Sequence, residues 1–324
     1  MSLSHVGLVI LGIGLLWFAS GLIITGVEHF AKKIRTSTFS LSFVLLGLIT
    51  SITEISVGIN AVAKKTPEIF VGNLIGGSFV VLMFIIPLLA IFNHGVSLRR
   101  HLRPRRLFFF LVLIAAPLVI ITNGSVTLVE AGVLILLYIL FMYSVEEEEN
   151  TKKLPAASKR AKKYSMLGSL GLILGGVVLV FGASYILINE IVFTAAWLGV
   201  PPFLISIIVL SVGTNLPELF VVVRAIKEKK IDIAIGDFMG SAAANTLLFG
   251  VFTLVHGSFT LTVTHIVITF FIMMGGYLLF FLLSHSQHNL TAEEGAVLIT
   301  IFICFIAFQV FEVIDISLGS TLLP

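Results

Sequence analysis

The sequence contains very little cysteine and few charged residues. Its single cysteine, Cys304, lies in an apolar segment, which excludes a disulfide framework and a cysteine-rich metal centre. Only 11% of the residues are charged, whereas 58% are hydrophobic. A soluble domain of 324 residues would not bury that much apolar surface, so the composition is that of a polytopic membrane protein.

The sequence also lacks the short motifs of common hydrolases and nucleotide-binding enzymes. It has no H-E-x-x-H, G-x-S-x-G or phosphate-binding loop. The net charge of +3 is compatible with nucleic-acid binding, but nearly all basic residues flank apolar segments. We therefore predict no enzymatic activity, no cofactor and no nucleic-acid partner, and nothing in the sequence indicates an oligomer.

Long apolar runs are what the sequence has in abundance. Runs of about 20 residues match the thickness of the hydrocarbon core of a bilayer. The fold class is therefore predicted to be an all-α membrane protein with ten transmembrane helices. The predicted spans lie near residues 5–28, 38–63, 69–93, 107–122, 126–144, 166–189, 201–226, 232–256, 259–284 and 293–315.

The basic residues orient these spans. All but two of the 20 Lys and Arg residues fall in loops on one side of the ten-span topology, and only Lys64 and Lys65 fall on the other. The positive-inside rule then places both termini outside and the charged loop between residues 146 and 163 in the cytoplasm. We expect a multi-pass protein of a prokaryotic-type plasma membrane.

Residues 47–78 recur as residues 211–242 without a shift in register. Because five spans separate the two copies, the repeats are inverted in the membrane, as in many secondary transporters. We predict a first five-helix repeat over 1–145, a charged cytoplasmic linker over 146–164 and an inverted repeat over 165–324. The linker pattern is typical of a solvated connection.

Each copy places a glutamate, Glu54 or Glu218, inside a predicted span. A carboxylate within the bilayer is costly and indicates a functional site. Thr50 and Thr214 precede these glutamates by one helical turn and share their helix face. Pro217 removes an amide hydrogen and opens the helix, so backbone carbonyls become available beside the side-chain oxygens. Ca²⁺ and similar hard cations prefer such oxygen ligands.

The alternative is that these polar side chains only hold helices together, as Ser, Thr and Asn do in membranes. It accounts for the hydroxyls but poorly for two symmetry-related glutamates.

In the following spans, Ser241 and Asn245 share one face, which we expect to meet the site. Asn73 and Asp237 are predicted near span ends, where capping is at least as favoured as ligation. Asn60 is expected to bond to its own helix, with a channel-lining role as the less favoured interpretation.

The two segments together resemble the α-repeats of the cation/calcium exchanger superfamily, in particular its prokaryotic Na⁺/Ca²⁺ exchanger branch. The family signature is a Thr-Ser-x-Pro-Glu type segment followed by Gly-Asn/Asp-x-x-Gly-Ser. Residues 214–218 with 236–241 match it closely, and residues 50–54 with 72–76 match it more loosely. The resemblance extends over the whole chain, including the ten spans, the inverted halves and the cytoplasmic loop.

The resemblance implies an all-oxygen set of metal ligands. The implied side chains are those of Glu54, Glu218, Thr50, Thr214, Ser51, Asn215, Ser241 and Asn245, with the carbonyls of Gly47 and Ser211.

The chain departs from the family pattern at five positions of these segments. Gly77 stands where the family usually has Ser, and Val81 where it has Asn or Asp. Thr53 replaces a proline, Asn215 replaces a Ser, and Asn245 occupies a position that is often acidic.

We therefore predict an antiporter that exchanges Ca²⁺ for Na⁺ by alternating access, with the ions bound at the midplane between Glu54 and Glu218. The first and sixth spans are expected to slide against a core that holds the site. Coupling to protons, or transport of another divalent ion such as Mn²⁺, remains open on the same fold. A passive cation channel is the alternative from another functional class, and inverted repeats with broken helices favour a carrier over it.

Overall fold

The structure is a computed structural model that describes residues 3–34, 42–98, 103–151, 165–197, 210–261, 266–286 and 289–322. The helices of the first half are α1 (Leu3–Ile34), α2 (Gly47–Thr50), α3 (Ile52–Ala63), α4 (Pro67–Val80), α5 (Ile86–Phe92), α6 (Pro104–Ile120) and α7 (Leu128–Thr151). Those of the second half are α8 (Met166–Trp197), α9 (Ser211–Thr214), α10 (Leu216–Glu228), α11 (Ile231–His256), α12 (Ile266–Ser286) and α13 (Ala292–Leu322).

Within the described ranges, seven helices are long and apolar enough to cross a membrane: His5–Ala31, Pro67–Phe92, Pro104–Asn123, Leu128–Val145, Met166–Ala183, Ile231–His256 and Ala292–Phe311. The apolar helix Ile268–Ser284 is shorter and falls within the ninth predicted span. The second predicted span contains the short apolar helix Ile52–Ala63. The seventh is described only from residue 210, and its earlier part lies outside the described residues.

Both helices that carry the predicted glutamates are broken at the same point of the repeat. A π-helical turn (Ser42–Leu46) leads into α2, and the chain then leaves helical geometry at Ser51, with φ −67° and ψ 6°, before α3 begins. In the second copy the break falls at Asn215, with φ −88° and ψ 7°, between α9 and α10. Pro217 stands in the first turn of α10 and cannot donate a backbone hydrogen bond. Each glutamate therefore lies in the first turn of a new helix.

The two central helices, α4 and α11, form the interior of the protein. Their membrane-length stretches are 83% and 78% buried, against 33% for α1 and for α8. A further pair, α1 and α8, packs side by side through small residues. A methyl group at Gly26 would lie 2.9 Å from the carbonyl oxygen of Ser169, and one at Gly176 would lie 3.1 Å from that of Ala19. The molecule thus has a buried core, and α1 and α8 pack on each other outside it.

Short antiparallel contacts tie the ends of the core helices. β1 (Ser125–Val126) pairs with β2 (Phe259–Thr260), and Val96 forms a bridge with Leu290. These contacts join the loops of the first half to those of the second.

Two polar contacts hold α1 at its ends. Near the start of α1, His5 contacts Glu190 of α8 at 2.6 Å and stacks on Phe193. At the opposite end, Lys230 bridges Glu28 of α1 at 2.7 Å and Glu228 of α10 at 2.8 Å.

The second contact is part of a larger charge cluster. Arg224 pairs with Glu228 at 2.6 Å, and Arg224 and Lys227 lie over the ring of Trp17. Partial burial raises the pKa of Glu228, but the hydrogen bonds from Lys230 and Arg224 outweigh it and hold that pKa below its usual value. The cluster therefore fastens α1 to the helices that carry the second repeat motif.

The closest approach between the two halves depends on glycines. A Cβ atom at Gly240 of α11 would collide with the carbonyl oxygen of Phe43, and one at Gly47 would lie 2.7 Å from the amide nitrogen of Ser241. Because the atoms that a Cβ would contact belong to the backbone, they cannot move away by rotation as the end of a flexible side chain can. Glycine at both positions is what allows the broken helix to lie directly on α11.

We predict that Gly240→Ala destabilises the protein by about 1–3 kcal/mol, because the added methyl group forces two backbones apart. The thermal unfolding midpoint of the detergent-purified protein measures this. Gly275→Ala is the matched control, since a methyl group there meets no atom within 4 Å. Equal midpoints for the two variants would contradict the packing argument.

Candidate cation-binding site

Glu54 and Glu218 are both completely buried. One oxygen of Glu54 accepts a hydrogen bond of 2.7 Å from the hydroxyl of Thr53, and one oxygen of Glu218 accepts one of 3.0 Å from Ser241. The second oxygen of each carboxylate has no hydrogen-bond partner among the described residues. The hydroxyl of Thr53 also lies 3.2 Å from the carbonyl oxygen of Thr214, so the two helix breaks adjoin. The site therefore offers two uncommitted anionic oxygens at neighbouring points.

The threonine that precedes each glutamate by one helical turn forms a hydrogen bond to the other repeat. The hydroxyl of Thr50 lies 3.1 Å from Oδ1 of Asp237 on α11, and that of Thr214 lies 3.2 Å from Oδ1 of Asn73 on α4. The same hydroxyls also reach the carbonyls of Leu46 (3.0 Å) and Ser211 (3.4 Å). The broken helix of one half is thereby bonded to the central helix of the other.

The expectation that Asn73 and Asp237 cap helix ends is wrong. Both are fully buried within helices, about two turns after the N-caps Thr66 and Lys230. The sequence placed them near span ends because the apolar runs begin only shortly before them. In the fold those ends are covered, so the two side chains bond across the repeat interface.

The predicted flanking residues also meet in pairs. Ser51 donates to the carbonyl of Gly47 at 2.7 Å, and Asn215 donates to that of Ser211 at 2.7 Å. These are the same positions of the two repeats, one turn apart across each helix break. In each repeat one of the predicted side chains therefore lies beside one of the predicted carbonyls.

The absence of a side chain at Gly77 makes room for the amide groups of Asn215 and Asn245. A Cβ atom at Gly77 would lie 3.0 Å from Nδ2 of Asn215 and 3.2 Å from Nδ2 of Asn245. The absent side chain leaves the room that these two amides occupy. Asn245 also donates to the hydroxyl of Ser78 at 3.3 Å, and Ser78 in turn approaches the carbonyl of Ala242.

Several buried oxygens of this region have no donor among the described residues: Oε1 of Glu54, Oε2 of Glu218, Oδ2 of Asp237, and Oδ1 of Asn215 and of Asn245. A buried acceptor without a partner costs free energy, so such groups call for an explanation. Their common feature is that all are carboxylate or amide oxygens, the ligands that hard cations take. Across the described residues no three Asp, Glu, His or Cys side chains converge as a metal-holding group, so a cation here would also need hydroxyl or carbonyl ligands.

Two polar side chains of the site were missed as candidates in the sequence, Thr53 and Ser78. Asp237 was weighed there between capping and ligation, and its signal was that it is the repeat partner of Asn73. Thr53 and Ser78 had none that set them apart from other hydroxyls of apolar helices. Their contacts exist only once the two halves face each other.

A cavity of about 290 Å³ leads towards the site. Its lining includes one stripe of α3, from Thr53 through Ser56 and Asn60 to Lys64, and side chains of α8 on the facing wall. Thr53 is buried, whereas Asn60 and Lys64 are exposed, so the cavity runs inward from the α3–α4 turn. Asn60 bonds to the carbonyl of Ser56, as expected, and lines this cavity as well.

Comparison with known proteins identifies the family. A family model described as sodium/calcium exchanger protein matches residues 4–145 and 168–311, which is most of the chain. The chain belongs to the sodium/calcium exchanger family. It is therefore an integral multi-pass membrane protein of a family of cation exchangers.

Individual members are only distantly similar in sequence. A membrane protein of Methanocaldococcus jannaschii described as uncharacterized is 25% identical over 76% of this chain and 80% of its own length. A putative antiporter, CaxA of Alkalimonas amylolytica, is 22% identical over 76% of this chain and 79% of its own. The sodium/calcium exchanger MaX1 of Methanosarcina acetivorans is 39% identical, but over only 24% of this chain and 22% of its own length.

Solved structures show the same fold. The sodium-calcium exchanger NCX_Mj, soaked with Na⁺ and Sr²⁺, superposes with a TM-score of 0.78 over 95% of this chain and 99% of that chain, at 22% identity. The form soaked with neither Na⁺ nor Ca²⁺ gives a TM-score of 0.75 over 95% and 100%. This match confirms the predicted all-α membrane fold, with ten transmembrane helices in two inverted repeats.

Because Asp237 stands where the first repeat has Asn73, the exchanger carries a third buried carboxylate near the glutamates. We predict that Asp237→Asn weakens Ca²⁺ binding on the order of tenfold, equal to about 1.4 kcal/mol, because it removes negative charge but keeps an acceptor for Thr50. Binding of radioactive Ca²⁺ to the purified protein measures this.

Asn73→Asp is the mirror-image control and should strengthen Ca²⁺ binding. Unchanged affinity in both variants would show that the charge at these positions does not act on the site.

Proposed function

We propose that this protein exchanges Ca²⁺ for Na⁺ across the membrane by alternating access, with the ions bound between Glu54 and Glu218. The observation that carries the proposal is the pair of buried carboxylates, each in the first turn after a helix break and each with one unpartnered oxygen. A buried charge without a partner is strongly unfavourable, so these groups require a counter-charge. The family match and the NCX_Mj fold support cation exchange as the process.

The remaining ligands in this proposal are those that the sequence indicated. Thr50, Thr214, Ser51, Asn215, Ser241 and Asn245 would contribute side-chain oxygens, with the carbonyls of Gly47 and Ser211. The hydroxyls of Thr50 and Thr214 already donate their hydrogens elsewhere, which leaves oxygen lone pairs for a cation. The Asp237 carboxylate adds negative charge behind Thr50.

The charge of the pair gives a reason for obligatory exchange. The two glutamates carry −2, which one Ca²⁺, two Na⁺ or two protons offset, and the Asp237 carboxylate makes the empty site still more negative. An empty site would have to pass through an occluded state with its charge uncompensated, at a high cost in free energy. The protein therefore changes from one access state to the other with ions bound, and not with an empty site.

The helix pair α1–α8 is the proposed moving part. In each of these helices 33% of the membrane-length stretch is buried, and both apolar packing and the charge cluster around Lys230 hold α1 to the core. The cavity beside Thr53 opens at the opposite end, near Lys64. In this arrangement the site communicates with one side while the ion pairs close the other.

We place the protein in a prokaryotic-type plasma membrane with both termini outside and the linker over 146–164 in the cytoplasm. The distribution of Lys and Arg supports this orientation. Helix α7 continues through Thr151 into the predicted linker, and residues 152–164 lie outside the described part of the chain. On this orientation the cavity near Lys64 faces the exterior.

Glu54→Gln and Glu218→Gln should each reduce exchange by about a hundredfold or more, because loss of one partner from a buried charged site costs about 3 kcal/mol or more. Ca²⁺ uptake into proteoliposomes measures this. Glu130→Gln is the matched control, since Glu130 is a half-buried capping residue that accepts hydrogen bonds from Thr127 and lies outside the proposed site. Exchange near the wild-type rate in either site variant, with the variant folded, would refute the assignment.

The coupling ion is tested by imposing gradients on vesicles loaded with Ca²⁺. We expect an inward Na⁺ gradient to drive Ca²⁺ efflux at constant pH, and a pH gradient without Na⁺ to drive little. The opposite result would assign proton coupling. A Ca²⁺ current that neither saturates nor requires a counter-ion would assign a channel.

A further inference from the structure

The access cavity is lined by uncharged side chains except at its mouth. Among the described lining residues, Lys64 is the one that carries a charge. The lining at depth consists of hydroxyl, amide and apolar groups, such as Thr53, Ser56 and Tyr185. A cation that enters from this side therefore meets an ammonium group before it meets any ligand.

The ammonium of Lys64 forms no ion pair with another described residue. The ion pairs of the described residues at the membrane edges involve His5 with Glu190 and the cluster around Lys230, not Lys64. The side chain is exposed and lies just after the end of α3, so its position follows from the helix and not from a partner. Its charge consequently acts on ions in the mouth.

The position of Lys64 limits its effect to the approach of the ion. Ten residues of helix separate it from Glu54, which corresponds to about 15 Å along the axis. The exposed ammonium is surrounded by water and salt, whose screening length is about 8 Å at physiological ionic strength, so at this distance the bound ion is partly shielded from it. An ion passing through the mouth is not, because it comes within a few ångströms.

We propose that Lys64 sets ion selectivity at the external mouth by admitting Na⁺ more readily than Ca²⁺. The proposal rests on the function and orientation proposed above. Electrostatic repulsion is proportional to the charge of the ion, so Ca²⁺ meets twice the barrier that Na⁺ meets. The factor by which Lys64 slows Ca²⁺ is therefore the square of the factor for Na⁺.

Lys64→Gln should raise the initial exchange rate at low external Na⁺ by about two- to threefold, and at low external Ca²⁺ by about four- to tenfold, since charge at a cleft controls the association rate. Equilibrium Ca²⁺ binding to the purified protein should stay unchanged. Lys65→Gln is the matched control, because it removes the same charge from the adjacent residue, which does not line the cavity. Its rates should change less than those of Lys64→Gln, because the Lys65 side chain does not line the path of the ion.

A charge-restoring experiment makes the test independent of side-chain shape. In a Cys304→Ala background, Lys64→Cys is modified from outside with a membrane-impermeant thiosulfonate that carries either trimethylammonium or sulfonate. The cationic adduct should restore the slow Ca²⁺ rate, and the anionic adduct should raise it above that of the unmodified variant. Both effects should fade at about 1 M impermeant salt, where the screening length falls to about 3 Å.

Equal changes for Na⁺ and Ca²⁺, or equal changes in Lys64→Gln and Lys65→Gln, would overturn the inference. If the wild-type protein shows no Na⁺-dependent Ca²⁺ exchange, the proposed function itself fails. If the wild type exchanges but Lys64→Gln keeps its rates, only the role of Lys64 is refuted.

Discussion

Two carboxylates, Glu54 and Glu218, are completely buried, and each keeps one oxygen without a donor within the described residues. An anionic oxygen in such surroundings is stable only with a cation beside it or with its charge removed. The helix breaks at Ser51 and Asn215 place each glutamate in the first turn of a new helix.

The two halves are locked together around that pair by small residues and crossed hydrogen bonds. Gly47 and Gly240 let backbones touch, so that Thr50 reaches Asp237 in the other half. The equivalent contact joins Thr214 to Asn73. Because each bond links a broken helix to the opposite central helix, neither half can form the site alone. By contrast, α1 and α8 contribute none of the proposed side-chain ligands and are free to serve as the moving pair.

Several departures from exact repeat symmetry fall within the site. Asn73 is an uncharged amide in one half, whereas its counterpart Asp237 adds a carboxylate in the other. Gly77 leaves a space that the amides of Asn215 and Asn245 share. The repeat partners of these residues differ in charge and size, so the two ends of the site are chemically distinct. Such a difference allows ions of unlike charge to prefer different positions in one cavity.

Hydrophobic run length and the positions of Lys and Arg determined the membrane fold without any coordinates, because the bilayer imposes a span length and a charge asymmetry on any sequence. The recurrence of Thr50 and Glu54 as Thr214 and Glu218 likewise determined the candidate site, since an apolar helix rarely carries a carboxylate without a function. The roles of Asn73, Asp237 and Ser78 were decided only by tertiary structure. Their partners lie far away in the chain, and no local pattern states which side chain will face them once the halves are packed.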